Sequence, residues 1–215
     1  MSTLVYMRML EQTPTKYDRG MRILTFGCID RIKREIASTW IEPGQDVLEI
    51  GCGTGSLAAL MTRRGARVLG IDISENMLAA ARSNAPDAEF IHMTATEINK
   101  LGEDRFDRIV ATLSFSELSE DELDLVLRVS SVLLKRRGKL VVADEVPPSR
   151  WWRRVLARLV RWPLASLTFL LTQNTTRALK MYDIRVERAG FRIVHHKVHL
   201  LGTLALIVAE NTNDS

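Results

Sequence analysis

EIGCGTG, residues Glu49 to Gly55, decides how this chain folds. The apolar run Gln45 to Ile50 (QDVLEI) leads into it and reads as a strand. Ser56 to Arg64 (SLAALMTRR) leaves it and reads as a helix, closed by Gly65 as a C-terminal cap. A strand that stops at glycines and restarts as a helix lets a ligand approach the backbone closely, and the helix start offers unpaired N–H groups. A dinucleotide loop would follow GxGxxG, with its third glycine at position 56. Here that position is Ser56, and the glycines are Gly51, Gly53 and Gly55. Glu49 would repel a pyrophosphate but suits a ligand carrying an ammonium group. About 20 residues further on, Asp72 ends the second strand, Arg67 to Asp72 (RVLGID), where a carboxylate can accept from both hydroxyls of a ribose.

Working outward, Ser74 to Ser83 reads as a helix with Ser74 as N-cap. Ala88 to Met93, Phe106 to Thr112 and Gly138 to Asp144 read as strands. Glu120 to Arg136 is an amphipathic helix with Leu123, Val126, Leu127, Ser130, Leu133 and Leu134 on one face. Strands alternating with helices imply βαβ units, a mostly parallel sheet and an α/β fold with helices on both faces. The ends break that rhythm. Lys16 to Trp40 forms one or two helices before the first strand. Phe191 to Leu200 and Leu204 to Ala209 are strands joined by a short turn at Gly202 and Thr203, so they must run antiparallel.

LEIGCGTG followed by GIDIS, with FDRIVAT and the antiparallel end, resembles the class I S-adenosylmethionine methyltransferases. The resemblance covers about Gln45 to Asp144 plus the terminal hairpin. It implies a Rossmann-like sheet of seven strands, mostly parallel with the last antiparallel. It also implies S-adenosyl-L-methionine as cofactor and a methyltransferase activity. Carried over residue by residue, Glu49, Gly51 and Gly55 would hold the methionine part, within a loop completed by Cys52 and Gly53. Asp72 would bind the ribose, Ile73 would lie beside the adenine and Met77 would pack near it. Thr94 stands where many relatives place an acid for the adenine amino group. Thr94, the Ala95 backbone or Glu97 would take over that role. Leu113 and Ser114 would flank the methionine portion. Asp107 reads as a structural residue at a strand start, and Cys52 as a small loop residue rather than a nucleophile.

The opening from Tyr17 to Ile36 (YDRGMRILTFGCIDRIKREI) resembles the start of the menaquinone and ubiquinone C-methyltransferases. That likeness makes Tyr17 a candidate for shaping the acceptor site, against the plainer alternative of a packing aromatic. Tyr6 would contribute too if the first residues are ordered. Asp144 and Glu145 end the fifth strand at the edge where open α/β folds bind ligands, so either is a candidate base, with a capping or solvated carboxylate as the alternative. Glu117 has similar standing. Of the histidines near the C-terminus, alternation sends His195 and His199 to one face of the strand and His196 to the other. They do not have metal-ligand spacing, so no metal is expected.

The net charge of +4 is unevenly spread. Val146 to Tyr182 contains no acid but holds Arg150, Arg153, Arg154, Arg158, Arg161, Arg177 and Lys180. The positive charge is therefore local, which argues against a nucleic-acid partner. The insertion is too short and too charged for a spanning helix. It reads as an apolar lid over a small, apolar acceptor, as an interfacial helix giving peripheral membrane contact through 150–171, or as a homodimer interface. MRMLEQTPTKYDRGMRILTFG with LTQNTTRAL is also similar to the corrinoid protein-associated methyltransferases, which implies a corrinoid protein partner. A non-catalytic module binding such a protein or a membrane is the rival reading. Two cysteines and no signal-like start suit a cytoplasmic chain, membrane-associated if the insertion binds lipid. One domain is expected: a helical cap over 1–42, the donor-binding core over 43–146, the lid over 147–180, and a helix end with hairpin over 181–210.

Overall fold

The computed structural model describes residues 14–146 and 182–212. Helices α1 (Pro14–Leu24) and α2 (Cys28–Glu35), the latter prolonged by a π turn over Ile36–Trp40, precede strand β1 (Asp46–Ile50). Then follow α3 (Ser56–Thr62), β2 (Arg67–Asp72), α4 (Glu75–Asn84) and β3 (Glu89–His92). After a 3₁₀ segment (Ala95–Leu101) come β4 (Phe106–Thr112), α5 (Glu120–Leu133) and β5 (Leu134–Glu145). Helix α6 (Tyr182–Arg188) and strands β6 (Phe191–His199) and β7 (Leu204–Asn211) complete the described residues.

The seven strands form one sheet in the order β3-β2-β1-β4-β5-β7-β6. Strands β1 to β5 pair in parallel, and β7 runs antiparallel to both β5 and β6. From β1 the chain first builds outward through β2 and β3, then returns to place β4 on the other side. This reversal makes the carboxyl ends of β1 and β4 a topological switch point, the position at which open α/β sheets bind ligands.

Alternation along each strand feeds two cores. Leu48, Ile50, Ile109 and Val142 face Leu123, Val126 and Leu127 of α5 and Val186 of α6. Val47, Val110, Val141 and Val208 face Ile32 and Ile36 of the N-terminal helices and Leu57 and Met61 of α3. Glu49 shares strand parity with Val47, so its side chain enters this second layer.

Two boundaries differ from the sequence expectation. The helix predicted to run to Arg136 stops at Leu133, and Leu134 is already extended. Asn211, on the last strand, donates from Nδ2 to the carbonyls of Ser131 and Leu134 (2.8 and 3.2 Å) and so caps the end of α5. Leu134 then pairs with Phe106, and β5 begins before Arg137, whose φ of 60° precedes Gly138. The turn between β6 and β7 is a short 3₁₀ segment over Leu200–Gly202, with Thr203 Oγ1 donating to the Leu200 carbonyl.

At the opposite sheet edge from the crevice, Asp107 accepts from the Asp46 N–H (2.8 Å) and from Lys135 Nζ (3.0 Å). That is the structural role expected of it. His195 lies against Trp40, with ring centroids 5.2 Å apart, and a register shift between Ile193 and His195 interrupts the β6 ladder. Among the described residues no cluster of His, Cys, Asp and Glu has metal-binding geometry, and no helix is long and apolar enough to cross a membrane.

Candidate functional site

The three glycines do different physical work. All have positive φ (70°, 53° and 72°), a region that disfavours side chains. A Cβ on Gly51 would sit 2.5 Å from the Ser114 Cβ, and one on Gly55 would sit 2.9 Å from the Ala81 backbone of α4. Gly51 and Gly55 are thus needed for close packing of loop against loop and loop against helix. Gly53 meets nothing within 4 Å, so it is the glycine that borders open space. Cys52 is buried, and burial holds its thiol well above the ordinary range, so it packs rather than attacks.

Glu49 precedes this loop and is 1% exposed. Burial raises its carboxyl from 4.5 to about 8, opposed by Lys33 and by the Ala58 backbone N–H, and reinforced by Asp72. Its Oε2 has no hydrogen-bond partner, and no other carboxylate oxygen among the described residues is buried in that state.

Asp72 closes β2 with both oxygens turned to the backbone. Oδ2 accepts from the Gly53 N–H (2.8 Å) and Oδ1 from the Ser74 N–H (2.9 Å). Each oxygen keeps further lone-pair capacity. Ile73 is 63% exposed beside it, and Met77 is buried in the first turn of α4. His92, paired in register with Asp72, contacts the Ile73 carbonyl through Nε2 (2.8 Å). The Thr94 hydroxyl lies 2.8 Å from that of Thr96 and donates to Glu97, which in turn binds Lys100. Ala95 starts the 3₁₀ segment.

At the end of β4, Leu113 holds φ +57°, an uncommon state for a branched side chain, while its N–H bonds the Ala143 carbonyl at 2.9 Å. Ser114 Oγ donates to the Ile50 carbonyl, tying the turn to the end of β1 (2.9 Å). Asp144 is 1% exposed. Its Oδ2 accepts from the N–H groups of Phe115 and Ser116 (2.9 and 3.0 Å), and its Oδ1 from that of Glu145 (2.7 Å). Burial raises this carboxyl to about 6 against those bonds. The geometry is that of a cap on the turn after β4, the alternative that the sequence left open, and not that of a base presented to a crevice.

The N-terminal helices reach this loop through residues that sequence reasoning passed over. Thr54 Oγ1, in a 3% exposed side chain, donates to both oxygens of Asp18 on α1 (2.8 and 3.0 Å). Lys33 on α2 donates to Ser56 Oγ (2.7 Å). Tyr17, half-buried, precedes Asp18 on the same helix. The YD pair was legible as a motif, but its tyrosine drew attention away from the carboxylate.

Residues 47–138 match the family model described as a methyltransferase domain. The demethylmenaquinone methyltransferase of Thermotoga maritima is 32% identical over 146 residues, 66% of this chain and 62% of that protein. The ubiquinone/menaquinone biosynthesis C-methyltransferase of Desulfotalea psychrophila is 28% identical over 218 residues, 93% of this chain and 87% of that protein. Among solved structures, magnesium protoporphyrin IX methyltransferase from Synechocystis, with bound S-adenosylhomocysteine, superposes with a TM-score of 0.68 at 20% identity. That superposition covers 97% of this chain and 99% of the other.

Proposed function

We propose that this class I S-adenosylmethionine-dependent methyltransferase delivers its methyl group to a small, largely apolar acceptor of the quinone type. Donor and reaction class follow from the domain and its relatives: the chain transfers a methyl group from S-adenosylmethionine. The acceptor class is our reading. The observation that carries it is the likeness to a quinone C-methyltransferase over 93% of the chain, which takes in more than the donor domain.

The crevice fits the donor. The partnerless Glu49 Oε2 suits an ammonium, which would also draw the buried carboxyl back toward its ionised form. Asp72 would accept from the ribose hydroxyls while its backbone bonds hold it still. Exposed Ile73 gives the adenine an apolar platform over buried Met77. Thr94 and Glu97 are turned onto each other, which favours the Ala95 backbone as our candidate for the adenine edge. The open space at Gly53, with Gly51, Cys52 and Gly55 shaping the loop, would take the amino-acid portion, and Leu113 remains our candidate to flank it.

S-adenosylmethionine supplies an already activated methyl group, so the protein chiefly aligns an in-line displacement and excludes water. Tyr17 on the cap remains our candidate for the acceptor side. Asp144 does not, because it is buried and its backbone bonds make it the cap of the turn after β4. The expected lid over 147–180, the membrane contact through 150–171 and the LTQNTTRAL motif of the corrinoid-associated group lie outside the described residues.

The test pairs methyl-labelled S-adenosylmethionine with a short-chain demethylated menaquinone. Label should pass into the organic extract. Donor binding without labelled product would remove the quinone acceptor and leave the donor site intact. Asp72→Ala should weaken donor binding roughly 100-fold by calorimetry, since it loses charge-assisted hydrogen bonds to the ligand and to the loop. Unchanged affinity would show that the donor lies elsewhere.

A further inference from the structure

The glycine loop carries two hydroxyls, Thr54 and Ser56, and each is taken by a different N-terminal helix. Thr54 Oγ1 has one hydrogen, shared between the two oxygens of Asp18 on α1. Ser56 Oγ accepts from Lys33 on α2. On its other side Thr54 is fixed to the Rossmann-like body, where Asn84 of α4 donates to its carbonyl (2.9 Å). The loop backbone is also pinned by Asp72 at Gly53. The loop is therefore braced without the cap, whereas these two side-chain bonds tie the cap to the loop.

We infer that Asp18–Thr54 and Lys33–Ser56 form a two-point clasp that sets the N-terminal cap on the donor loop, and that Asp18 is thereby a positioning residue for Tyr17. The consequence for Tyr17 rests on the donor and acceptor reading above. The clasp itself does not. Because α1 carries Tyr17 one residue before Asp18, loss of the bond loosens the seat of the helix that bears the tyrosine without removing any group that would touch the donor. The two contacts also make the cap sensitive to the loop: a ligand that stiffens Gly53 stiffens the anchor of α1.

The test is backbone hydrogen exchange of the full chain, alone and with S-adenosylhomocysteine as probe. Thr54→Val and, because Thr54 is buried, the half-buried surface variant Asp18→Ala should each speed exchange over 17–24 about tenfold, the loss expected for a hydrogen bond to a charged group. Amides of β4 and β5 should keep their wild-type rates, and Thr54→Ser should restore protection over 17–24. In Asp18→Ala affinity for S-adenosylhomocysteine should stay within about threefold of wild type, because Asp18 lies outside the loop that would hold it. In the wild type the probe should slow exchange over 17–24, and in Asp18→Ala this slowing should vanish. Unchanged exchange over 17–24 in Asp18→Ala, or failure of Thr54→Ser to rescue, overturns the clasp. A loss of probe affinity beyond tenfold in Asp18→Ala also overturns it, because Asp18 would then brace the loop and not the cap. Absence of probe affinity in the wild type would fail the donor reading alone, since exchange without ligand still decides the clasp.

Discussion

Strands β1 and β5 flank β4, and each carries, one residue before its end, a carboxylate withdrawn from water. Glu49 and Asp144 are both 1% exposed, yet their surroundings are opposite. Asp144 accepts three backbone N–H groups and is raised only to about 6. Glu49 has an oxygen with no partner and is raised to about 8. Burying a carboxyl oxygen without a hydrogen bond is costly, so a fold tolerates it chiefly where something outside the chain completes the site. A satisfied carboxylate is part of the scaffold; an unsatisfied one points to a ligand.

The comparison breaks most visibly at Asp144. Asp144→Ala strips the acceptor from three N–H groups and should cost about 3 kcal/mol. The melting temperature should fall by roughly 6–12 °C, with donor affinity nearly unchanged. An unshifted melting temperature would reopen Asp144 as a base. At Glu49 the expectation reverses. Glu49→Gln keeps the shape and removes the charge, so donor affinity should drop about tenfold. At pH 7 the variant should melt no lower than wild type, because a neutral amide replaces a carboxyl that burial already disfavours ionising.

pH sharpens the same contrast. A carboxyl raised on folding holds a proton that the unfolded chain has released, so its contribution to stability falls as pH rises through that window. For Glu49 the window runs from 4.5 to about 8, and for Asp144 from 3.8 to about 6. Between pH 6 and 8 the wild-type melting temperature should therefore carry a downward contribution that Glu49→Gln lacks. Parallel profiles for the two proteins over that range would contradict the raised Glu49. The smallest effect belongs to a third carboxylate. Glu35 is paired with Lys197 (2.9 Å) on the surface, where the lysine side chain is about half exposed. Glu35→Gln should change stability by less than about 1 kcal/mol in urea titration, because solvent screens the pair.

Much of this architecture was readable before any coordinates. Gly65, Ser74 and the alternation of β1 and β2 announce themselves locally, through φ preference, capping chemistry and strand parity. The end of α5 did not, because Arg136 continues a good helical pattern and the residue that stops the helix, Asn211, is far away in sequence. The site divides in the same way. Glu49, the glycines and Asp72 lie on one strand-loop-strand unit, so their spacing carries their meaning. Asp18 and Lys33 reach the loop from other elements, and no spacing along the chain marks them.

Sequence alone determined that this chain builds a mostly parallel α/β sheet around a glycine loop preceded by one carboxylate and followed by another. Local backbone preferences and alternation suffice for that. Only the tertiary structure decided which buried carboxyl has its hydrogen bonds met and which keeps an oxygen without a partner, and which helices grip the loop. Hydrogen-bond satisfaction depends on groups brought together from distant parts of the chain.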